Sequence, residues 1–149
     1  MYISYGKKEF SLEKFYETRK GVACKPSFGL WASREDSPCG WKQWCEIEGY
    51  DWCSEDNKFV FTVSEGARIF EVHHEDDILP YLIKTKAITW EDHKTAPGDG
   101  IDFEKMMDDG YDGLELFYSE DMEYFSDGIF NFWDMDSIVI WNPNVIEAA

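Results

Sequence analysis

A chain of 149 residues is long enough to fold as one domain over 1–149 and to bury about two-thirds of its unfolded surface. Its 31 acidic and 14 basic side chains leave a net charge of −17. Such a surface repels phosphate backbones, which argues against direct DNA binding and for a protein partner with a basic surface, or else serves only to keep the surface solvated. Aromatic residues make up 17% of the chain and include seven tryptophans, far more than a disordered acidic tail carries.

The first ten residues, "MYISYGKKEF", have no apolar leader, and no apolar run approaches the ~20 residues that cross a bilayer. A cytoplasmic protein with no membrane contact is the expectation. Cys24, Cys39, Cys45 and Cys53 contain no C-x-x-C pair, so a zinc site is not indicated and reduced thiols are expected.

In chain order, "YISYG" reads as a first strand. "SLEKFYETRKG" reads as a helix capped by Ser11 and ended by Gly21, with Leu12, Phe15 and Tyr16 on one face. "FGLWAS" reads as a second strand, and Ser37-Pro38 as the start of a helix carrying Trp41, Trp44, Cys45 and Glu48. "KFVFTVS" alternates as a half-buried strand does; Ser64-Glu65-Gly66 is a turn, and "ARIFEV" is expected to return as its partner. "HEDDILPYLIK" reads as a short helix with acids in its first turn and an awkward Pro80. "PGDG" is expected to break the chain at 97–100, and "IDFEKMMDDG" to form a helix ended by Gly110. "YDGLELFY" and "DSIVIWN" are the last two strands. Short strands with interspersed short helices predict an α+β domain with small mixed or antiparallel sheets.

Several chemistries are absent from the pattern. There is no G-x-G-x-x-G, because Phe103 stands where Gly98 and Gly100 would need a third glycine, and no G-x-x-x-x-G-K-[ST]. There is no H-E-x-x-H or G-x-S-x-G. His73 and His74 are adjacent and would point to opposite faces of a strand, and His93 lies in a polar stretch, so no metal site is expected. A Cys-His pair has nothing to single out its members. What remains are aromatic, hydroxyl and carboxylate groups near strand ends: Tyr2, Ser4 and Tyr5; Trp31 and Ser33; Tyr111 and Asp112; Asp134 and Asp136. Taken singly, each is as well explained by packing, backbone satisfaction or edge protection.

Taken in order, these pieces resemble the ADP-ribosyltransferase fold. The short Tyr-bearing strand, then "KPSFGLWAS", "GYDGLELF" and "DSIVIWNPNVI" are similar to small bacterial and phage toxin-like or effector members of that family, over roughly two-thirds of the chain. The resemblance implies NAD as substrate and mono-ADP-ribosyl transfer to a protein or nucleic acid, as a phage effector or anti-defence protein would perform. It implies an oxocarbenium-like ribose in the transition state, stabilised by a carboxylate. Carried onto this sequence, Tyr5 is the residue at the end of the first strand, Ser33 the second-strand hydroxyl and Trp31 a pocket wall. Asp136, with Asp134 beside it, stands where the family generally has Glu, and Glu120 and Asp121 are rivals. Set against this enzyme is a non-catalytic inhibitor that mimics nucleic acid and occupies a basic groove: from Asp99 to Asp136 there are thirteen acids against one base, Lys105. The enzyme requires Tyr5, Ser33 and a late carboxylate to converge; the mimic requires carboxylates spread outward.

Overall fold

The structure, a computed structural model, describes residues 1–16, 24–88 and 95–149. Four helical turns or helices and nine strands fall among them. The strands are β1 (Tyr2–Tyr5), β2 (Leu30–Arg34), β3 (Lys58–Val63), β4 (Ile69–Val72), β5 (Leu82–Ile88), β6 (Thr95–Ile101), β7 (Gly113–Leu116), β8 (Ser137–Ile140) and β9 (Ile146–Ala148). The helices are α1 (Leu12–Phe15), α2 (Trp41–Glu48), α3 (Phe103–Asp108) and α4 (Met122–Asp127), joined by short 3₁₀ segments. Seven strands form one sheet in the order β4-β7-β8-β2-β1-β3-β9, and β5 and β6 form a separate antiparallel ribbon. Every pair in the large sheet is antiparallel except β4 with β7. The α+β expectation is met at this level, with one large, mostly antiparallel sheet where only small sheets were expected.

Side-chain alternation accounts for the sheet's two faces. Phe70, Val72, Leu114, Leu116 and Val139 pack on one side with Ile78, Met106, Phe125, Phe130 and Trp133. Leu30, Ala32, Phe59, Phe61, Ile138 and Ile140 pack on the other with Phe15, Val145 and Phe10. The run Ile138-Val139-Ile140 is wholly buried because both faces of β8 are covered. Its neighbour β7 is docked through Asp112, whose backbone carbonyl accepts the amides of Trp141 and Asn142 at 3.0 and 3.2 Å. Asn142 Nδ2 donates to Asp112 Oδ1 at 2.7 Å, so the "YDG" and "WNPN" segments lock together.

Several expectations are corrected. "ARIFEV" does not pair with "KFVFTVS": β3 lies between β1 and β9, and β4 runs parallel to β7. Arg68 explains this, since its amide donates to Asp112 Oδ2 at 2.8 Å and its carbonyl accepts the Asp112 amide at 2.7 Å, which pins the start of β4 beside β7. The chain's last strand, β9, takes the free edge of β3 and was not anticipated. "HEDDILPYLIK" is a 3₁₀ segment over Glu75–Tyr81 only, with Pro80 inside it, and the chain continues as β5. "PGDG" lies within β6, where its backbone pairs with β5. Ser11 caps α1 as expected, its Oγ accepting the Lys14 amide, but the predicted remainder of that helix, 17–21, lies outside the described residues, as does His93. The helix expected to begin at Ser37 begins at Trp41. The cysteines are not all reduced: Cys45 and Cys53 form a disulfide with Cα atoms 6.3 Å apart, while Cys24 and Cys39 are free thiols. Gly49 closes α2 in a left-handed turn that brings Cys53 back beneath Cys45. Among the described residues no helix is long and apolar enough to cross a membrane.

Candidate functional site

The antiparallel register of β2 on β8, Leu30 with Ile140 and Ala32 with Ile138, carries Ser33 to the leading end of β8. There Ser33 Oγ donates to the Asp136 carbonyl at 2.8 Å and accepts the Trp41 amide at 3.0 Å. The approach is close because position 40 is glycine; a Cβ there would stand 2.9 Å from that of Ser33. The Asp136 amide donates to the Cys39 carbonyl at 2.9 Å.

The Asp136 side chain is buried and held by donors rather than by a cation. Its Oδ1 accepts the Ser119 amide at 2.7 Å, and its Oδ2 accepts the hydroxyls of Ser119 and Ser37, both at 2.8 Å. An ionised carboxylate accepts about four hydrogen bonds; these three leave one lone-pair direction on Oδ1. The junction joins β2, the segment before α2, the segment after β7 and the entry to β8. Ser37, expected at the start of a helix, serves Asp136 instead.

The other residues named from the sequence fall around this junction. Trp31 lies two positions from Ser33 on the same face of β2, its ring 4.7 Å from that of Trp133, with the Lys25 ammonium 5.5 Å above it. Tyr5 lies at the far end of β1, and alternation from Ile3, the ladder partner of Ser33, places it on that same face. The β1–β2 ladder covers only Tyr2 with Arg34 and Ile3 with Ser33, so Ser4 and Tyr5 have no partner on β2. Burial, then the charge of Glu55, pushes the Tyr5 phenol above its ordinary range. Among the described residues Tyr5 makes no hydrogen bond to Ser33, Trp31 or Asp136. Asp134 is half-buried in the left-handed region, φ +63°, and beside burial it helps raise the Tyr118 phenol. It does not join the hydrogen bonds around Asp136. The structure thus brings Ser33 and Asp136 together, sets Trp31 and Tyr5 on their face, and leaves Asp134 to one side.

Neither free thiol is an activated nucleophile. Burial first, then the negative charge of Asp136, pushes the Cys39 thiol up, and burial pushes Cys24 up. Among the described residues no group of three metal ligands is present.

A second polar cluster escaped the sequence reading. Glu115, at the centre of β7, is 4% exposed. It accepts Arg34 Nε at 2.6 Å and a second guanidinium N–H at 3.0 Å, and Tyr2 donates its hydroxyl at 3.1 Å. Arg34 lies over the rings of Tyr2 and Phe117, 5.5 and 5.4 Å from their centroids. The hydrogen bond to Glu115 raises the Arg34 pKa, and burial then Glu115 raise that of Tyr2. Phe117 is stacked on His73, whose Nδ1 is 2.6 Å from Glu120. That accounts for Glu120, and Asp121 lies 3.5 Å from His74; neither reaches Ser33. The available signal was the single acid inside the apolar run "GLELF", since a buried strand tolerates a carboxylate only with a partner. Compared with known protein families, curated proteins and solved structures, the chain gives no match.

Proposed function

We propose that the protein is a mono-ADP-ribosyltransferase that uses NAD as substrate and acts on a target with a basic surface. The observation that carries this reading is the meeting of Ser33, at the trailing end of β2, with Asp136, at the leading end of the adjacent β8, with Trp31 on the face of Ser33. In the reaction the bond from ribose C1′ to the nicotinamide nitrogen breaks, and its electron pair leaves with neutral nicotinamide. The positive charge passes to C1′ and the ring oxygen. An acceptor lone pair then bonds to C1′, and the acceptor's proton goes to solvent or a base. Asp136 supplies a negative charge that its three protein donors hold in place, and its remaining lone pair on Oδ1 can take a ribose hydroxyl. Trp31 offers a ring for stacking, and Ser33 fixes the carboxylate's backbone rather than presenting a vacant hydroxyl.

A second reading, the non-catalytic acidic inhibitor, is favoured by a different observation. Asp99, Glu104, Asp108, Asp109, Glu120, Glu123 and Asp127 are all exposed, as a mimic of a phosphate backbone requires. Labelled NAD incubated with the purified protein and a cell lysate separates the two. The transferase releases nicotinamide and labels a target, and Asp136→Asn abolishes both while its circular dichroism stays native. Asp134→Asn, outside the network, serves as the variant with no folding risk. Turnover that survives both substitutions moves the carboxylate elsewhere, and absence of NAD binding and turnover leaves the acidic binder.

A further inference from the structure

A cleft of about 510 Å³ opens between the 3₁₀ segment Glu75–Tyr81, the start of β5 and the loop after α4. That size falls within the ~300–1,000 Å³ of ordinary ligand sites. None of its described lining residues is Ser33, Trp31, Asp134 or Asp136. Its floor includes fully buried Ile78, yet three large apolar side chains stand exposed around it: Leu79 at 58%, Leu82 at 38% and Phe132 at 45%. Apolar groups gathered at a concavity and left in water mark an interaction surface, whereas scattered ones do not.

The charged side chains among the described lining residues are all acidic. Glu75, Asp76, Asp99 and Asp127 line it, and among the described lining residues none is basic. Two of the four are already engaged: Glu75 Oε1 accepts the Ile129 amide at 2.9 Å, and Asp99 pairs with Lys84. The Asp76 side chain is 76% exposed with His74 at 3.7 Å, and Asp127 is exposed at the end of α4.

From this arrangement we infer that the cleft receives a peptide segment of a partner protein in which apolar anchors are flanked by arginine or lysine. The apolar groups insert toward Ile78 beside Leu79 and Phe132, and the basic flanks meet Asp76 and Asp127. An anionic membrane surface or a nucleic acid meets repulsion at the same rim, and two copies of a chain of net charge −17 repel one another. The inference goes beyond ADP-ribosyl transfer, and its test contains no NAD, so failure of one reading is distinguishable from failure of the other.

The test is fluorescence anisotropy with a panel of labelled twelve-residue peptides, each with paired arginines around a varied apolar centre, and a matched panel with glutamates for arginines. Some arginine peptides bind and no glutamate peptide does. Phe132→Ala and the double variant Asp76→Lys, Asp127→Lys each weaken that binding about tenfold or more, as loss of an anchor or reversal of a rim charge does at an interface. Glu65→Lys with Glu147→Lys makes the same change of net charge beside β3 and β9, at the opposite edge of the sheet from β4 and the 3₁₀ segment that follows it, and alters binding by no more than about twofold. All three residues of the first set are exposed, so folding is preserved, and thermal melting verifies it. Equal weakening by the Glu65 and Glu147 variant shows undirected attraction to an acidic protein and overturns the inference, as does a panel in which no arginine peptide binds.

Discussion

At the scale of single residues, the two buried carboxylates are satisfied in opposite ways. Glu115 is neutralised by a guanidinium, while Asp136 is held by one amide and two hydroxyls. Removing Asp136 leaves the Ser37 and Ser119 donors facing a void. Asp136→Ala is therefore expected to destabilise the fold by about 2–4 kcal/mol, each buried donor left unpaired costing roughly 1–3 kcal/mol. Urea denaturation measures this, and a loss under about 1 kcal/mol means that water replaces the carboxylate. Tyr81 gives a pH prediction. Its hydroxyl donates to Asp109 Oδ2 at 2.6 Å, and that hydrogen bond, then burial, then the carboxylate's charge, pushes its pKa from 10.0 to about 12. The folded state therefore keeps a proton that the unfolded chain releases. The stabilisation from this phenol is complete below pH 10 and is lost as pH rises toward about 12. Absorbance at alkaline pH shows several late-titrating tyrosines in the native protein, Tyr2, Tyr5 and Tyr118 among them, and Asp109→Ala moves one phenol, that of Tyr81, back toward the ordinary value; a titration unchanged by Asp109→Ala means that the Asp109 bond does not hold the Tyr81 proton.

At the scale of elements, the placement of the candidate site depends on how closely β2 lies on β8, and Gly29 governs the start of that contact. Its φ is +130°, and a Cβ there would stand 2.8 Å from the Ile140 carbonyl oxygen and 3.1 Å from Val139 Cγ2. Gly29→Ala combines a strained backbone with a backbone clash and is expected to cost about 2–4 kcal/mol, read as a lowered denaturation midpoint. A neutral result places the first residue of β2 away from β8. The strands around this contact were legible because their patterns are local: "DSIVIWN" is β-branched and apolar, and "FGLWAS" alternates. Pairing was not legible. The choice of β7 over β3 as the neighbour of β4 is made by Asp112, forty-four residues from Arg68, and no periodicity within "ARIFEV" carries that information. Tertiary context also overrode local signals at Pro80, where a 3₁₀ segment replaced the expected helix, and at "PGDG", where cross-strand pairing outweighed turn chemistry. The site was half legible for the same reason. Sequence order set Ser33 and Asp136 at strand ends, but Ser37 and Ser119 become partners of Asp136 only after the sheet has formed, and the Tyr2–Arg34–Glu115 cluster joins three strands.

At the scale of the whole molecule, a net charge of −17 works against compactness, because folding brings like charges closer than they stand in the open chain. Among the described residues the opposing Lys or Arg ion pairs are few and mostly at the surface: Glu55 with Lys58 and Lys42, and Asp99 with Lys84. Such pairs contribute little and are themselves screened by salt. Arg34 with Glu115 is the exception, bidentate and with the carboxylate buried, and screening affects it least. Raising ionic strength from about 0.01 M to 0.15 M shortens the screening length from about 30 Å to about 8 Å. That removes most repulsion between carboxylates on different elements, such as those of α3 and α4, while leaving contact pairs largely intact. Salt is therefore expected to stabilise this protein: near neutral pH the melting temperature rises by several degrees over that range, since about 1 kcal/mol corresponds to roughly 2–8 °C in domains of this general size. The same increase is expected to weaken capture of an arginine-flanked peptide at the acidic cleft, because that attraction is screened as the self-repulsion is. Opposite responses of stability and binding to one variable tie both to the same excess of negative charge. A melting temperature that falls with salt instead would show that the ion pairs, with Arg34 and Glu115 foremost, outweigh the repulsion summed over the surface.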